Sequence, residues 1–147
     1  MLQEALQGTL AEGPAEANGV AKSVVSVYRK MSNLEAETTL NTQQLQPPIP
    51  GSNSSKYLSE SLDKVLAFRN SGVPADTSET VLEFVLDPQG YQDLMSTAVD
   101  QAGSKGLDAV KINYEGVSDP TLRNIGVPLS QLNEFNNLIL QVNRVGP

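Results

Sequence analysis

The sequence predicts an α+β domain in which short strands and short helices alternate along the chain. Two β-branched runs, residues 24–28 and 80–86, have the composition of buried strands. Helix-starting signals follow the strands closely, and long polar connections separate the elements. Strands divided by irregular loops favour α+β over a doubly wound parallel sheet. The 147 residues are enough for one domain with its own core.

The first segment of the chain differs in character from the rest. Leucine recurs every four residues up to Leu10, and Gly13-Pro14 then breaks this short helical pattern. We therefore interpret residues 1–20 as a leader or linker remnant of a larger parent protein. Residues 21–147 are expected to form the folded domain.

The strand at residues 24–28 leads into a predicted helix. Ser32 and Glu35 form a capping box, in which the hydroxyl accepts from one backbone N–H and the carboxylate reaches back to the other. The helix is expected to run to about Leu40. A proline-rich loop follows, and residues 56–59 then form a short strand that turns directly into another helix.

The second half of the domain also alternates strands and helices, with longer connections between them. Asp87-Pro88 is an N-cap followed by proline at the first helical position, and the helix it starts is expected to continue to Gly103. The remaining predicted elements are a strand at 109–114, a loop at 115–128 and a last strand at 138–145.

The composition excludes several kinds of chemistry. The chain has no cysteine and no histidine, which excludes thiol nucleophiles, histidine bases and zinc sites built on these residues. Neither GxGxxG nor Walker spacing occurs. The net charge of −7 argues against generic nucleic-acid binding, which depends on phosphate neutralisation. Catalysis must come from carboxylates, hydroxyls, arginine and a bound cofactor, and we expect no metal.

An arginine and a serine at strand ends are the candidate site residues. Arg29 closes the first strand, where its rigid fork of donors suits a diphosphate or a ribose. The alternative is a surface arginine that caps the strand. Ser59 closes the short strand, but a serine before a helix is also an N-cap, and either Ser59 or Ser61 can serve as one.

Three segments, residues 27–32, 56–62 and 126–136, resemble the ADP-ribosyltransferase-fold toxin domains of bacterial polymorphic toxins of the Rhs and contact-dependent inhibition type. The resemblance covers residues 24–145. It implies an ADP-ribosyltransferase-like split β-sandwich with flanking short helices. In such a fold NAD, the substrate, is held in a cleft between two small sheets.

The resemblance also implies an Arg–Ser–Glu triad. It assigns NAD binding to Tyr28, Arg29, Tyr57 and Ser59, with Tyr57 as a stacking face for nicotinamide. Arg29 would grip the diphosphate or its ribose. Ser59 would order the strand behind the nicotinamide and hydrogen-bond the catalytic carboxylate.

The catalytic acid has two main candidates. Glu134 fits by order, because a loop precedes it and the last strand follows. The sequence departs from the family pattern here, since Leu132 replaces the first acid or glutamine and Gln131 lies three residues back. Glu134 is equally compatible with a solvated position on a short helix. Glu115, at the end of a predicted strand, is the fallback acid, and Glu83 is a further alternative.

These features lead us to expect an antibacterial toxin domain that transfers ADP-ribose from NAD to a protein or RNA in a recipient cell. It would be secreted as part of a larger effector and delivered to the target-cell cytoplasm, with no membrane partner. A cognate immunity protein would carry a complementary basic patch. The alternative is a non-enzymatic acidic interaction module, such as an immunity or adaptor protein, which would have no cleft.

The loop at residues 115–128 is a candidate recognition segment. It is long, rich in glycine and proline, and carries one cation, Arg123. Loops on a rigid scaffold often carry recognition. We therefore expect Arg123 to contact the acceptor macromolecule and not NAD.

Overall fold

A computed structural model describes residues 24–48, 55–68, 79–103 and 108–146. The predicted leader at residues 1–20 lies outside the described residues. Seven strands and four α-helices occur within these ranges: β1 (Val25–Ser32), α1 (Asn33–Thr42), β2 (Lys56–Ser59), α2 (Leu62–Ala67), β3 (Glu79–Leu86), α3 (Pro88–Met95), β4 (Val99–Asp100), β5 (Lys111–Asn113), β6 (Asn124–Val127), α4 (Leu132–Asn137) and β7 (Ile139–Gly146). Single 3₁₀ turns occupy Gln101–Gly103 and Leu129–Gln131.

The strands form one mixed sheet in the order β4-β5-β6-β2-β1-β3-β7. Only β4 and β5 are parallel, and the other neighbours are antiparallel. The predicted α+β class is therefore confirmed.

The sheet is divided by a narrow junction. β1 pairs with β3 along its whole length, from Val25 opposite Leu86 to Ser32 opposite Glu79. In contrast, the register between β1 and β2 contains the single pair Tyr28–Ser59. The long strands β1, β3 and β7 thus form one half of the sheet and the short strands β2, β4, β5 and β6 the other.

The main core lies on one face of this sheet. Phe84 of β3 and Phe135 of α4 are fully buried and meet edge to face, with ring centroids 6.2 Å apart. Helices α1, α3 and α4 contribute buried side chains to the same cluster. Val65 of α2 is also buried but lies outside this cluster. Helix α2 contacts β1 and β2, which it covers on the other face.

Several local predictions are confirmed. Residues 56–59 form β2, and the first predicted strand is present but extends to Ser32. The Ser32 hydroxyl accepts from Glu35 N at 3.2 Å, and the Asp87 carboxylate accepts from Gly90 N at 2.7 Å, as expected for N-caps. The Glu35 carboxylate turns away from its cap to other partners, described below.

Two predictions were wrong. The helix predicted to reach Gly103 ends at Met95, because the Ser96 and Thr97 hydroxyls bond to nearby carbonyls and the chain then pairs with β5 as β4. The predicted loop at 115–128 contains β6, an entirely buried strand between β5 and β2. Long-range pairing outweighed local propensity in both segments.

Gly90 tests how close helix α3 lies to the final strand. A Cβ added at Gly90 would collide with the Leu138 side chain. Helix propensity alone predicts that Gly90→Ala stabilises the fold by about 1 kcal/mol. Because a terminal methyl of the partly exposed Leu138 must turn aside, we expect this cost to offset the propensity gain and the free energy of unfolding in urea to change little. Gln92→Ala, at an exposed position of the same helix, is the matched control and should be near neutral. A more stable Gly90→Ala protein would contradict this packing.

Candidate functional site

A cavity of about 290 Å³ opens beside the junction between the two sheet halves. This is near the lower end of small-ligand sites, which span about 300–1,000 Å³. Strands β1, β2, β5 and β6 and helix α2 supply most of its lining, together with the turn after β5. The lining residues are Tyr28, Arg29, Lys30, Tyr57, Leu58, Ser59, Lys64, Val65, Phe68, Gln101, Asn113, Glu115 and Asn124.

Four polar residues form a row across the sheet on the cavity side. Tyr28 pairs with Ser59, Ser59 with Asn124, and Asn124 with Asn113. Residues directly opposite one another in a sheet share a face. The row therefore places a phenol, a hydroxyl and two amides side by side along one wall of the cavity.

Ser59 is a buried strand residue and not a helix cap. Only 1% of its surface is exposed, and its Oγ accepts from Ser61 N at 3.0 Å. Ser61 is the N-cap of α2, since its hydroxyl accepts from Lys64 N at 3.2 Å. The two alternatives left open by the sequence are thus separated: Ser61 caps the helix and Ser59 lines the cavity.

An amide network runs along the far end of the row. Asn113 Nδ2 donates to Gln101 Oε1 at 2.7 Å, and Asn124 Nδ2 donates to Asn113 Oδ1 and to Glu115 O, both at 2.8 Å. The Oδ1 atom of Asn124 is buried and has no hydrogen-bond partner among the described residues. A buried, unpaired carbonyl oxygen is unfavourable, and here it accompanies the two hydrogen bonds that Nδ2 of the same side chain donates.

Tyr57 covers the next part of β6. Its Cε1 lies 2.8 Å from where a Cβ on Gly126 would stand, so only glycine lets the ring lie this close to the strand. Tyr57 lines the cavity yet remains 46% exposed. Its ring is therefore available to a flat ligand.

The charge of the lining is opposite to that of the whole chain. Three lining residues are basic and one, Glu115, is acidic, whereas the chain carries 10 basic and 17 acidic residues. Lys30 Nζ donates to Leu66 O and Phe68 O, and Lys64 Nζ lies 4.8 Å from the centre of the Phe68 ring. Because Arg29 is paired with Glu35, two lysines stand against one glutamate in the lining, and this excess of positive charge favours an anionic ligand.

Arg29 lines the cavity, but its guanidinium is bound to groups at the opposite side of β1. It alternates with Tyr28 along the strand and shares a face with the buried Val27. Its Nε donates to Glu35 at 3.0 Å and its Nη1 to Tyr57 O at 3.0 Å. A free guanidinium beside Ser59, as the sequence led us to expect, is therefore not what the structure contains.

Glu35 joins two cations at this point. Lys56 Nζ lies 3.0 Å from the same carboxylate oxygen that contacts Arg29. Burial alone would raise the pKa of Glu35, but the hydrogen bonds and charges of Arg29 and Lys56 hold that pKa below its usual value. Burial and the charge of Arg29 lower the pKa of Lys56, despite Glu35.

The two candidate acids lie in different places. Glu134 is exposed on α4 and does not line the cavity. Glu115 lies two residues after the end of β5, lines the cavity, and has no hydrogen-bond or ion-pair partner for its carboxylate among the described residues. Glu83, the further alternative, accepts from Ser26 at 2.7 Å and from Asn143 at 3.2 Å outside the cavity. Glu115, and not Glu134, therefore lines the same cavity as Ser59.

Arg123 has an internal role that the recognition-loop hypothesis did not anticipate. Its guanidinium lies 3.0 Å from Glu60, whose side chain is 10% exposed, and its backbone N–H donates to the same carboxylate at 2.9 Å. The Tyr91 hydroxyl donates to Glu60 at 2.6 Å. Burial, with the adjacent Glu60 charge, strongly raises the pKa of Tyr91, which stays protonated. This network ties the ends of β2 and β6 to α3.

Sequence reasoning missed four lining residues that shape the site, Lys30, Lys64, Asn113 and Asn124. The two lysines resemble ordinary surface residues of a strand and a helix. Asn124 fell in a segment interpreted as loop, although the alternation of Ile125 and Val127 after it was a strand signal.

No protein-family model matches this chain, and no curated protein is significantly similar to it. Within the described ranges, no helix combines the length and hydropathy of a membrane span. No group of acidic side chains in the same ranges is arranged to hold a metal ion.

Glu35 makes stability at this site depend on pH. Because its folded-state pKa is lowered, its contribution is complete above its unfolded value near 4.5 and is lost as the pH falls through the folded value. Glu35→Gln should lower the free energy of unfolding by about 2 kcal/mol at pH 7, and the difference should shrink below about pH 4.5. Urea titrations across this range measure it. Glu37→Gln, exposed on the same helix, is the control, and a pH-independent difference would contradict the assignment.

Arg123 is expected to act on stability. Arg123→Ala removes two hydrogen-bonded contacts from a carboxylate that is largely buried, and should lower the free energy of unfolding by about 2 kcal/mol. Chemical denaturation measures this loss. Wild-type stability of Arg123→Ala would show that the Glu60 contact is not made in solution, and would restore Arg123 as a candidate recognition residue.

Proposed function

We propose that this domain cleaves NAD at the cavity beside the Tyr28–Ser59 pair and transfers ADP-ribose to a macromolecule. The observation that carries the proposal is the convergence of Ser59, Tyr57 and Glu115 on one small, positively charged cavity. Tyr57 and Ser59 share β2, whereas Glu115 lies in the turn after β5, so the meeting of Glu115 with the other two is not a consequence of sequence proximity. An interaction module without a cleft gives no reason for it.

The cavity fits the nicotinamide-ribose end of the dinucleotide better than the whole molecule. Its volume of about 290 Å³ suits one flat heterocycle and a sugar. Tyr57 lies close against Gly126 and remains half-exposed, and its ring offers an aromatic face to nicotinamide. Lys30 and Lys64 give the cavity the positive charge that a diphosphate requires, and Lys64 stands on α2 beside the turn that carries Glu115.

The arginine of the proposed triad acts differently from our initial expectation. With Glu35 as partner, the Arg29 guanidinium can grip a diphosphate only by competing with that carboxylate. Its hydrogen bond to Tyr57 O instead holds β2 near β1 beyond their single pair. We therefore assign Arg29 to positioning Tyr57 and Ser59, and phosphate attraction to the two lysines.

The reaction breaks the bond between ribose C1′ and the nicotinamide nitrogen. The bonding electron pair leaves with nicotinamide, which neutralises its ring charge, while positive charge develops on the ribose. A carboxylate fixed beside the ribose, Glu115 in this proposal, stabilises that charge. A nucleophilic atom of the acceptor, or water in the hydrolytic reaction, then bonds to C1′ and releases its proton.

The resemblance implies two small sheets around a cleft, whereas the described strands form one mixed sheet, and we propose that the narrow junction within this sheet takes the place of that cleft. Two sheet halves meet at one residue pair, and the cavity lies beside that pair. Tyr57, Phe68 and Tyr114 are large hydrophobic residues exposed at or next to the cavity. We assign this aromatic rim to the acceptor macromolecule, and to the immunity protein that would block the site.

The two glutamates provide the decisive test. Glu115→Gln should reduce nicotinamide release from NAD about 100-fold, since it removes a charge that acts in the transition state. Glu134→Gln should retain wild-type activity. Both residues are exposed, so the variants form a matched pair that should share the wild-type melting temperature. Nicotinamide release by the purified domain, followed by chromatography, measures the effect.

Each other outcome has a clear meaning. The reverse pattern, with Glu134→Gln inactive, would return the catalytic role to Glu134. Two fully active variants would rule out the carboxylate mechanism. A wild-type protein that releases no nicotinamide, with or without cell lysate as acceptor, would contradict the proposed function and favour the interaction module.

A further inference from the structure

Two asparagines hold the backbone of Glu115 from both sides. Asn113 Oδ1 accepts from Glu115 N at 3.0 Å, and Asn124 Nδ2 donates to Glu115 O at 2.8 Å. The same Nδ2 atom donates to Asn113 Oδ1 at 2.8 Å. These three hydrogen bonds close a loop between the end of β5, the turn after it, and β6. We call this arrangement the asparagine clamp.

The clamp is anchored in the sheet. Asn124 is 4% exposed and belongs to β6, which is paired on one side with β2 and on the other with β5. Asn113 is oriented by its own bond to Gln101 Oε1 at 2.7 Å. Asn124 stands directly opposite Ser59 in the sheet. The clamp therefore fixes the position of the Glu115 backbone relative to Ser59 and the cavity wall.

The internal hydrogen bond of the turn does not fix the position of Glu115 relative to Ser59. Val117 N bonds to Tyr114 O at 3.2 Å, and Gly116 has φ +71°, a conformation that glycine adopts freely. These features set the local shape of the turn around Glu115. They do not determine where the turn lies relative to β2, because neither involves a residue of another strand.

The unpaired oxygen of Asn124 indicates why an amide stands here. Its Nδ2 must face two acceptors, Asn113 Oδ1 and Glu115 O, which leaves Oδ1 buried without a partner among the described residues. An apolar side chain of similar shape would avoid this unfavourable burial. It would also remove the donor to Asn113 Oδ1 and Glu115 O, so the unpaired oxygen is a cost that comes with these two hydrogen bonds.

We propose that Asn124, together with Asn113, is a positioning residue that holds Glu115 at the ribose of the substrate. The catalytic part of this inference rests on the proposed function. The clamp itself is a structural claim that can be measured without any enzymatic activity.

The test uses Asn124→Leu, which keeps the approximate shape and removes the donor. We expect a little-changed melting temperature, and exchange of the Glu115 amide with deuterium about tenfold faster by NMR. The kcat for NAD cleavage should fall about 100-fold, with KM for NAD little changed, since displacement of the acid affects the transition state more than binding. Asn143→Leu, on β7 outside the cavity, is the matched control and should change neither exchange at Glu115 nor kcat.

The outcomes separate the two claims. Wild-type exchange at Glu115 together with wild-type kcat in a folded Asn124→Leu protein would overturn the proposal. If Asn124→Leu does not fold, Asn113→Ala, at a partly exposed position, must show the same faster exchange and lower kcat, or the proposal falls. An inactive wild-type protein would overturn the proposed function and the catalytic part of this inference, whereas unchanged exchange at Glu115 would overturn the clamp.

Discussion

The single pair Tyr28–Ser59 is the constraint on which the rest of the site depends. A sheet whose two halves were paired along their full length would leave no opening between β1 and β2. Here the two halves of the sheet are joined by one residue pair only, so the residues beside that pair are available to a ligand. The same pair starts the polar row that continues through Asn124 to Asn113, so the junction also orients the cavity wall.

A narrow junction needs support from side chains because backbone bonds alone do not hold it. On one side, Glu35 gathers Arg29 and Lys56, one cation from each strand, and Arg29 also reaches the carbonyl of Tyr57. A carboxylate shared by two cations offsets part of the free energy lost when these charges are buried. This cluster explains why the partly buried Arg29 is bound to Glu35 and is not free in the cleft.

On the other side, Glu60 supports the ends of β2 and β6. It follows Ser59 directly, and Arg123, its main partner, precedes Asn124 directly. Each member of the Glu60–Arg123 pair is thus one residue away from a member of the polar row. The two ion-pair clusters support the cavity wall from opposite sides, which makes the site a rigid part of the fold. Tyr57 is left as the exposed, adaptable part of the site's surface.

Local features of the chain were readable from the sequence because neighbouring residues produce them. The β-branched run of β1, the Ser32 cap and the Asp87-Pro88 helix start all act within one turn or one strand, and each is present in the structure. Ser59 was likewise predicted to end a strand from the residues of its own short segment, and it is the last residue of β2.

Only the tertiary structure decided which glutamate lines the cavity with Ser59, which partner binds Arg29, and that β6 lies inside the sheet between β5 and β2. The physical reason is register. Asn124 meets Ser59 and Asn113 through strand pairings between residues that are distant in sequence, and nothing in a four-residue buried strand specifies its neighbours. The Glu35 carboxylate, readable as half of a capping box, was drawn to Arg29 and Lys56 because two cations stabilise it more than one backbone N–H does.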